Sequence, residues 1–530
     1  MKGLRALAST TGAIYQRIAN RQWLACVLAG VLALGLRAAL LPWLPVPVPW
    51  IADEFAYLLA ADTYASGRLT NPPHPMWRHL ETLHVLQQPT YAAKYPPMQG
   101  LVLAFGQRLF HEPWIGVWLS TGIMCAAICW MLQSWISPGW ALFGGLLVVM
   151  RLGVVSYWMN SYVGGSVAAI GGALVLGALP RIVRARRFSL GVVSGLGLVI
   201  LMNSRPFEGF VLAASSCVAL TWCLGSDRAA FREVLLKVLI PAAMVLFIGA
   251  AGTAYQNYRV TGNAFELPYI AYDKQYAAYP NFLWAKTRPD IPYSHPDIRD
   301  FWLKFQANNH REGVEQPLTT LFLYSVVTYY VWLGWLPLAA AALLCPFALR
   351  TREERITVAL LSTSVASMLL IGTFLPHYLA PITALVFLRL AQSLKRAWSW
   401  RTAGRPAGMA LAILVVASMA LPLPHEAVTP FPPRPDVVAF GRARKSMLDE
   451  LTRQPGNHLV LVRYGSNHDV QKEWVYNAAD VDHSRVVWAQ EMGPEEDAEL
   501  LRYYNGRRVW RLDADANPPR LNCADPPSDR

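Results

Sequence analysis

The run WIGVWLSTGIMCAAICWMLQSWI, residues 114–136, contains no Asp, Glu, Lys, Arg or His. A helix needs about 20 predominantly apolar residues to cross the hydrocarbon core of a bilayer, and this run is long enough. A helix of a soluble protein would carry a polar stripe at every third or fourth residue, which this run does not show. The run therefore predicts a membrane-spanning helix.

Similar runs recur along the chain and predict an all-α polytopic membrane bundle of about eleven transmembrane helices. The predicted spans are 23–41, 114–136, 139–157, 164–180, 188–203, 207–225, 236–256, 327–349, 356–374, 378–394 and 406–423. Only 15% of the residues are charged, against about 25% in soluble domains. The apolar segment 98–110 is too short to span, so we expect an interfacial or re-entrant helix on the outer face.

The net charge of +13 could suggest a nucleic-acid partner, but Lys and Arg cluster in short groups between the apolar runs. Such groups mark the cytoplasmic side of a membrane protein. The run 23–41 lacks a small-residue cleavage site and predicts an uncleaved first span with a cytoplasmic N-terminus. With this orientation all dense basic groups fall in the cytoplasm, namely 181–187, 228–237, 350–355 and 395–405. We expect no nucleic-acid partner.

Three polar segments then lie outside, at 43–113, at 257–326 and after 424. The last begins with a Pro-rich stalk and continues with short β-branched runs and amphipathic stretches. These predict a helix, two strands, a helix and a strand at 437–453, 458–463, 485–489, 495–504 and 508–512. We expect a transmembrane domain, 1–423, and a small extracytoplasmic α/β domain, 424–530.

Two adjacent acids follow the first predicted span in Trp50-Ile-Ala-Asp53-Glu54-Phe-Ala-Tyr57. On a helix they point to different sides, so that one can face a cavity while the other is held elsewhere. A structural alternative stays open, in which Asp53 caps a helix over 54–64.

A second motif reads Tyr91-Ala-Ala-Lys94-Tyr95-Pro96-Pro97-Met-Gln-Gly100 and leads into the short apolar segment. Lys94 as a point charge and Tyr95 as a donor suit a phosphate at headgroup level. The alternative is that Lys94 anchors the chain at the interface and Tyr95 belongs to an aromatic belt.

The order and location of these motifs resemble the C-type (GT-C fold) membrane glycosyltransferases, in particular the bacterial protein-mannosyltransferase and lipid A aminoarabinose-transferase group. The resemblance covers about 1–395 in architecture, and its specific motifs lie within 50–100. Weaker similarity is found at Asn203-Ser-Arg205-Pro-Phe-Glu208-Gly and at Pro376-His377-Tyr378-Leu-Ala-Pro381.

The resemblance implies an inverting hexosyl- or pentosyltransferase of the bacterial inner membrane. Its donor would be a polyprenyl-phosphate sugar and its acceptor a lipid, glycan or protein on the periplasmic face. It implies Asp53 as the catalytic base, with Glu54 in support. The implied donor-phosphate ligands are Lys94, Tyr95 and Arg205. Candidate substrate contacts, for which an ordinary interfacial role stays open, are Tyr57, Asn160, His377 and Tyr378.

One departure from the family lies in the loop after the third predicted span, where Asn160 stands in place of the acid of many relatives. Glu81 and Asp62 are alternative second acids, although a solvated loop surface explains each of them equally well. His74, His79 and His84 are spaced by five, which suits neither a helical pair nor a zinc ribbon. No metal or other cofactor is therefore assigned, and a role for a divalent cation stays open.

Two other functions remain alternatives. A transporter or flippase of lipid-linked saccharides would need paired repeats, or interrupted helices with charges near the membrane centre, and Arg151 is the main such charge. A non-catalytic envelope-assembly protein would keep the scaffold without the chemistry. Candidate sugar or acceptor contacts are the aromatic residues of 257–326 and the polar cluster 467–474.

Overall fold

The computed structural model describes residues 2–334, 336–337, 339–340, 349–402, 404–428 and 434–524. Most of these residues are helical, as the apolar runs predict. The first part of the chain forms α1 (Lys2–Asn20), α2 (Gln22–Ala39), α3 (Ala52–Ala65), α4 (Pro97–Phe110), α5 (Trp114–Leu132), α6 (Pro138–Leu152), α7 (Gly165–Ala185), α8 (Phe188–Met202) and α9 (Pro206–Leu224).

The second part completes the bundle and fills the outer loops. It begins with the long helix Arg228–Thr261, which contains one π-helical turn. The further helices are Pro268–Tyr276, Pro296–Asp300, Ala307–Glu315, Pro317–Leu333, Arg352–Ala366, Thr383–Trp398, Ala407–Ala420, Leu423–Val428, Pro435–Arg453 and Pro494–Tyr503. Short 3-10 segments are found at Trp77–Leu80, Ser367–Leu370 and Pro376–Ile382.

The chain is a multi-pass membrane protein. Within the described ranges, 6 helices are long and apolar enough to cross a bilayer, and three shorter helices are also apolar. The long ones are Gln22–Ala39, Trp114–Leu132, Gly165–Ala185, Pro206–Leu224, Arg228–Thr261 and Ala407–His425, and the short ones are Pro138–Leu152, Phe188–Met202 and Pro317–Leu333. The count of about eleven spans stays a prediction.

Several boundaries differ from the predicted spans. The predicted span 327–349 lies partly outside the described residues, and the observed helix begins earlier, at Pro317. The predicted span 356–374 is helical only to Ala366 before a 3-10 turn follows. The N-terminal helix α1 was not predicted, because its polar residues interrupt the apolar pattern. The short helix α4 coincides with the predicted segment 98–110.

Outside the bundle, strands β1 (Val85–Leu86) and β2 (Ala92–Ala93) form a hairpin in the first outer loop. Four further strands are β3 (His458–Arg463), β4 (Val486–Gln490), β5 (Arg508–Asp513) and β6 (Arg520–Cys523). They form a 4-stranded sheet in the order β4-β3-β5-β6, in which β3, β4 and β5 are parallel and β6 runs antiparallel to β5. The predicted strands and helices of this segment lie within a few residues of the observed ones, whereas β6 was missed. The domain division at 423/424 stays a prediction.

The C-terminal sheet shares one hydrophobic core with the first outer loop and with α3. Phe55 of α3 stacks on Tyr476 with ring centroids 4.6 Å apart. The buried Arg444 lies 4.6 Å above the ring of Phe55 and donates to the carbonyl of Tyr476. Tyr476 in turn donates to the carbonyl of Leu83 in the loop. The C-terminal segment therefore fixes one face of α3.

On the membrane side, α7 contacts the 3-10 segment Pro376–Ile382, which carries His377 and Tyr378. Gly172 permits this contact, because a Cβ atom there would overlap with the backbone oxygen of Pro381. Backbone atoms cannot move aside as a flexible side chain can, so a larger residue would displace the whole segment.

We therefore expect Gly172→Ala to lower thermal stability by an amount typical of overpacking, about 1–3 kcal/mol. The matched control is Gly252→Ala, because nothing lies within 4 Å of a Cβ atom at that helical position. The measurement is the unfolding temperature of the purified protein in nanodiscs. Equal unfolding temperatures for the two variants would contradict the close approach of α7 to Pro381.

Candidate active site

Glu54 organises the start of α3. Its Oε2 accepts hydrogen bonds from the backbone N–H groups of Trp50, at 2.9 Å, and Ile51, at 3.4 Å. Its Oε1 accepts from the N–H of Tyr162, at 3.0 Å, in the loop before α7. Burial raises the pKa of Glu54 to about 7, although the three N–H donors oppose the shift. Glu54, and not Asp53, therefore caps this helix.

Asp53 does not cap the helix, and its side chain is 29% exposed. The space that it shares with His84, Tyr95 and Lys94 is called the cleft below. Its Oδ1 accepts a 2.6 Å hydrogen bond from the hydroxyl of Tyr95, and its Oδ2 lies 3.7 Å from Nε2 of His84. Burial alone would raise the pKa of Asp53, but His84, Tyr95 and Lys94 outweigh burial and hold it below its usual value. Asp53 is therefore a carboxylate at neutral pH.

A two-strand hairpin, β1 (Val85–Leu86) and β2 (Ala92–Ala93), brings His84 and Lys94 together. His84 precedes β1 and Lys94 follows β2, and the N–H of Lys94 donates to the carbonyl of His84 at 3.1 Å. The hairpin thus places a cation beside the carboxylate of Asp53.

The ammonium of Lys94 lies among three aromatic rings. Its Nζ is 5.3, 4.9 and 4.7 Å from the ring centroids of Tyr95, Tyr269 and Tyr272, within the range of cation–π attraction. Burial lowers the pKa of Lys94, while Asp273 and Asp53 oppose the shift. In the described part of the chain, no carboxylate oxygen lies within 4.0 Å of this Nζ, so its charge is available to an anionic ligand.

Tyr57 lies one helical turn after Asp53 on α3, so both side chains project from the same face. Its ring stacks on that of Tyr95 at 4.5 Å and is buried. The stacking fixes the ring that donates to Asp53.

Arg205 and the pair His377 and Tyr378 come from the inner side of the cleft. The guanidinium of Arg205 lies 4.3 Å from the ring centroid of Tyr378. The pKa of His377 is lowered well below its usual value by burial and by Arg205, against the attraction of Asp53. These mutual electrostatic effects place Arg205, His377 and Tyr378 around the same cleft as Asp53.

Some predicted residues are engaged elsewhere. Asn160 accepts from Arg37 at 3.0 Å and donates to two backbone carbonyls, so its amide holds the end of α2. Glu81 accepts from Tyr276 at 2.8 Å. Asp62 accepts from the backbone N–H of Ala479 at 2.7 Å. These hydrogen bonds give each of the three side chains a structural role away from the cleft.

The three histidines of the first loop lie in different surroundings. His74 is 3.0 Å from Asp482, His79 is 2.9 Å from the carbonyl of Gln490, and His84 neighbours Asp53. Among the described residues, no group of three His, Cys, Asp or Glu side chains is arranged to hold a metal ion.

The sequence did not predict that His84 neighbours Asp53 or that Tyr269 and Tyr272 contact Lys94. The aromatic richness of 257–326 was a signal, but it suggested sugar rings and not a cage around Lys94. His84 lies ten residues before Lys94 in the sequence. This spacing is compatible with a hairpin that brings the two residues together, but the sequence alone does not show the turn.

The fold resembles that of solved membrane enzymes. ArnT from Cupriavidus metallidurans bound to undecaprenyl phosphate has a TM-score of 0.50 and 16% sequence identity, over 95% of this chain and 93% of ArnT. An oligosaccharyltransferase from Archaeoglobus fulgidus tethered to an acceptor peptide has a TM-score of 0.49 and 11% identity, over 92% of this chain and 68% of that protein. No protein-family model and no curated protein sequence matches the chain. The chain thus has the C-type (GT-C) fold of membrane glycosyltransferases.

Glu54 caps α3, whereas Asp53 does not, so substitutions of these two adjacent acids have different effects on stability. We expect Glu54→Ala to destabilise the protein by about 2 kcal/mol or more, because it leaves buried backbone N–H groups without an acceptor. Asp53→Asn is the matched control, since it preserves shape and leaves the cap intact. The measurement is the thermal unfolding of both variants beside the wild type. A larger loss of stability in Asp53→Asn than in Glu54→Ala would reverse the assignment.

Proposed function

We propose that this protein is an inverting membrane glycosyltransferase that moves a sugar from a polyprenyl-phosphate donor to an acceptor nucleophile. The observation that carries the proposal is the juxtaposition of the ionised carboxylate of Asp53 with the ammonium of Lys94, which has no carboxylate oxygen within 4.0 Å among the described residues. An inverting transfer needs both a base and a cation for the departing phosphate. The binding of undecaprenyl phosphate by ArnT, which has the same fold, supports this class of donor.

Asp53 acts as the general base. An acceptor hydroxyl attacks the anomeric carbon of the sugar from the face opposite the phosphate, and its proton passes to an oxygen of Asp53. The bond between the anomeric carbon and the phosphate oxygen breaks, and the electron pair leaves with the lipid phosphate. Tyr95 orients the carboxylate through Oδ1, and each oxygen keeps a further lone pair for the proton.

Lys94 and Arg205 stabilise the leaving phosphate. Both cations lie against tyrosine rings that hold their positions, Lys94 on Tyr272 and Arg205 on Tyr378. Glu208 also attracts the guanidinium of Arg205. A charge fixed in a partly dry site stabilises a developing anion without the reorganisation that water requires. The hydroxyls of Tyr57 and Tyr378 are candidate donors to the same phosphate or to the sugar.

The site is assigned to the outer face of the bacterial inner membrane, with the N-terminus in the cytoplasm. This orientation is supported by the four dense basic groups, which the predicted order of spans puts on the opposite side of the membrane from Asp53.

Transfer of radiolabelled sugar from a panel of undecaprenyl-phosphate sugars to envelope acceptors tests the base. We expect Asp53→Asn to reduce transfer by about 100-fold or more, the size of a general-base contribution. The control is Asp449→Asn, a surface aspartate paired with Lys445. Transfer by Asp53→Asn at the level of Asp449→Asn would remove Asp53 from the mechanism.

A second substitution tests the phosphate ligand. Lys94→Met preserves length and apolar volume but removes the charge, so we expect the rate to fall by about 100- to 1,000-fold, as when one oxyanion donor is removed. The same assay with Lys445→Met, a change on an exposed helix face, gives the baseline. An unchanged rate in Lys94→Met would mean that the phosphate binds elsewhere.

The pH dependence reports on the hydrogen bond from Tyr95. Because the pKa of Asp53 lies below its usual value, the acid limb of the kcat/KM profile that belongs to Asp53 lies at acidic pH, below the range in which Glu54 titrates. Tyr95→Phe removes a hydrogen-bond donor to the carboxylate of Asp53. We therefore expect the acid limb of the kcat/KM profile of this variant to move upward by about one pH unit. Tyr503→Phe on the outer surface is the control. Superimposable profiles would contradict this role of Tyr95.

A further inference from the structure

His84 is a buried titratable residue beside the base that the proposed mechanism does not yet use. Its side chain is 9% exposed, and Nε2 lies 3.7 Å from Oδ2 of Asp53. Its Nδ1 is shielded from solvent and has no hydrogen-bond partner among the described residues. Within that part of the chain, the carboxylate of Asp53 is therefore the acceptor toward which the imidazole is directed.

The backbone holds His84 in an uncommon conformation. Its φ of 66° lies in the left-handed region, which non-glycine residues seldom occupy and which His and Asn tolerate better than most. Two hydrogen bonds hold it there: its N–H donates to the hydroxyl of Tyr272 at 2.9 Å, and its carbonyl accepts from the N–H of Lys94 at 3.1 Å. Backbone conformations of this kind are concentrated at functional sites.

The ring is also fixed by its apolar neighbours. The imidazole packs edge-on against Phe301 at 5.7 Å and lies between the rings of Tyr95 and Tyr272, at 5.8 and 6.2 Å. The charged groups that act on it are Lys94 and Asp53. Burial and Lys94 lower the pKa of His84 to about 3, so the imidazole is neutral at neutral pH. In that range it acts on Asp53 as an N–H dipole, and its positive charge attracts the carboxylate only at acidic pH.

We propose that His84 is a positioning residue for the base, in which a neutral imidazole directs Nε2–H at Oδ2 of Asp53 while Tyr95 holds Oδ1. This inference rests on the proposed function and deepens it. With one donor at each oxygen, the carboxylate plane is fixed and a remaining lone pair is aimed at the acceptor. The 3.7 Å separation shortens when substrate fills the cleft, because such contacts tighten in the reacting complex.

The neutrality of His84 has a second consequence for the site. A cationic imidazole at this position would compete with Lys94 for the phosphate and would pair fully with the base. The buried, uncharged ring instead leaves Lys94 as the cation of the hairpin and keeps Asp53 basic.

The test is His84→Asn in the full-length protein. Asparagine tolerates the left-handed backbone but is too short to place a donor where Nε2 stands, so it removes the side-chain role alone. The matched control is His111→Asn, because His111 also has a left-handed φ, of 57°, at the exposed C-terminal end of α4. Unfolding temperatures of both variants establish that they fold alike.

We expect His84→Asn to lower kcat by about tenfold with the donor KM within twofold, the pattern of a lost transition-state interaction. The acid limb of the kcat/KM profile of His84→Asn should move upward by about 0.5 pH unit, because the carboxylate of Asp53 has lost a hydrogen-bond donor. A fall in kcat with an unmoved pH profile would overturn the proposal, as would kinetics equal to those of His111→Asn.

A second measurement is independent of activity. Carbodiimide modifies protonated carboxyl groups, so the pH midpoint of Asp53 labelling, followed by peptide mass spectrometry, reports its pKa. We expect the midpoint in His84→Asn to lie about 0.5 pH unit above that of the wild type and of His111→Asn. Identical midpoints would overturn the role of His84 even if transfer is observed. If wild-type protein transfers no sugar, the shift still supports the His84–Asp53 interaction while the proposed function fails.

Discussion

A buried carboxylate that accepts three backbone N–H groups holds this site together. Glu54 receives the N–H groups of Trp50 and Ile51 at the start of α3 and that of Tyr162 from the loop before α7. The first two fix where the helix begins, and the third fixes the helix against the membrane bundle. Since Asp53 precedes Glu54 by one residue, its direction into the cleft follows from this cap. The two adjacent acids thus have different surroundings: Glu54 caps the helix, and Asp53 faces the cleft.

The other faces of α3 are held by separate parts of the chain. The helix α4 packs along one side, and Gly100 approaches Ala60 and Tyr64 closely. The C-terminal segment covers another side through the contacts of Phe55 with Tyr476 and Arg444. The cleft therefore lies where two outer loops, the C-terminal segment and the bundle meet. Its two cations, Lys94 and Arg205, lie against tyrosine rings that hold them in place.

The sequence could predict the helical membrane bundle, the strands β3, β4 and β5, and the residues of the two motifs around Asp53 and Lys94. Each prediction depended on local information: apolar runs, β-branched runs, or a charged residue at a membrane boundary. The sequence could not decide between Asp53 and Glu54 as the cap, because that choice depends on Tyr162, which is distant along the chain. The cage around Lys94 and the proximity of His84 to Asp53 likewise arise from long-range contacts. Asn160 was considered because of the family pattern, but its partner Arg37 was not predictable from spacing.

The central claim is that sugar leaves a lipid phosphate in this cleft, which a transporter of lipid-linked saccharides would not bring about. The most direct test reconstitutes the protein in proteoliposomes with an undecaprenyl-phosphate sugar and an acceptor, and counts the undecaprenyl phosphate released for each sugar transferred. A ratio of one to one, with inverted configuration at the anomeric carbon of the product, is the predicted result. Movement of intact lipid-linked sugar between leaflets, without release of undecaprenyl phosphate, would contradict the account.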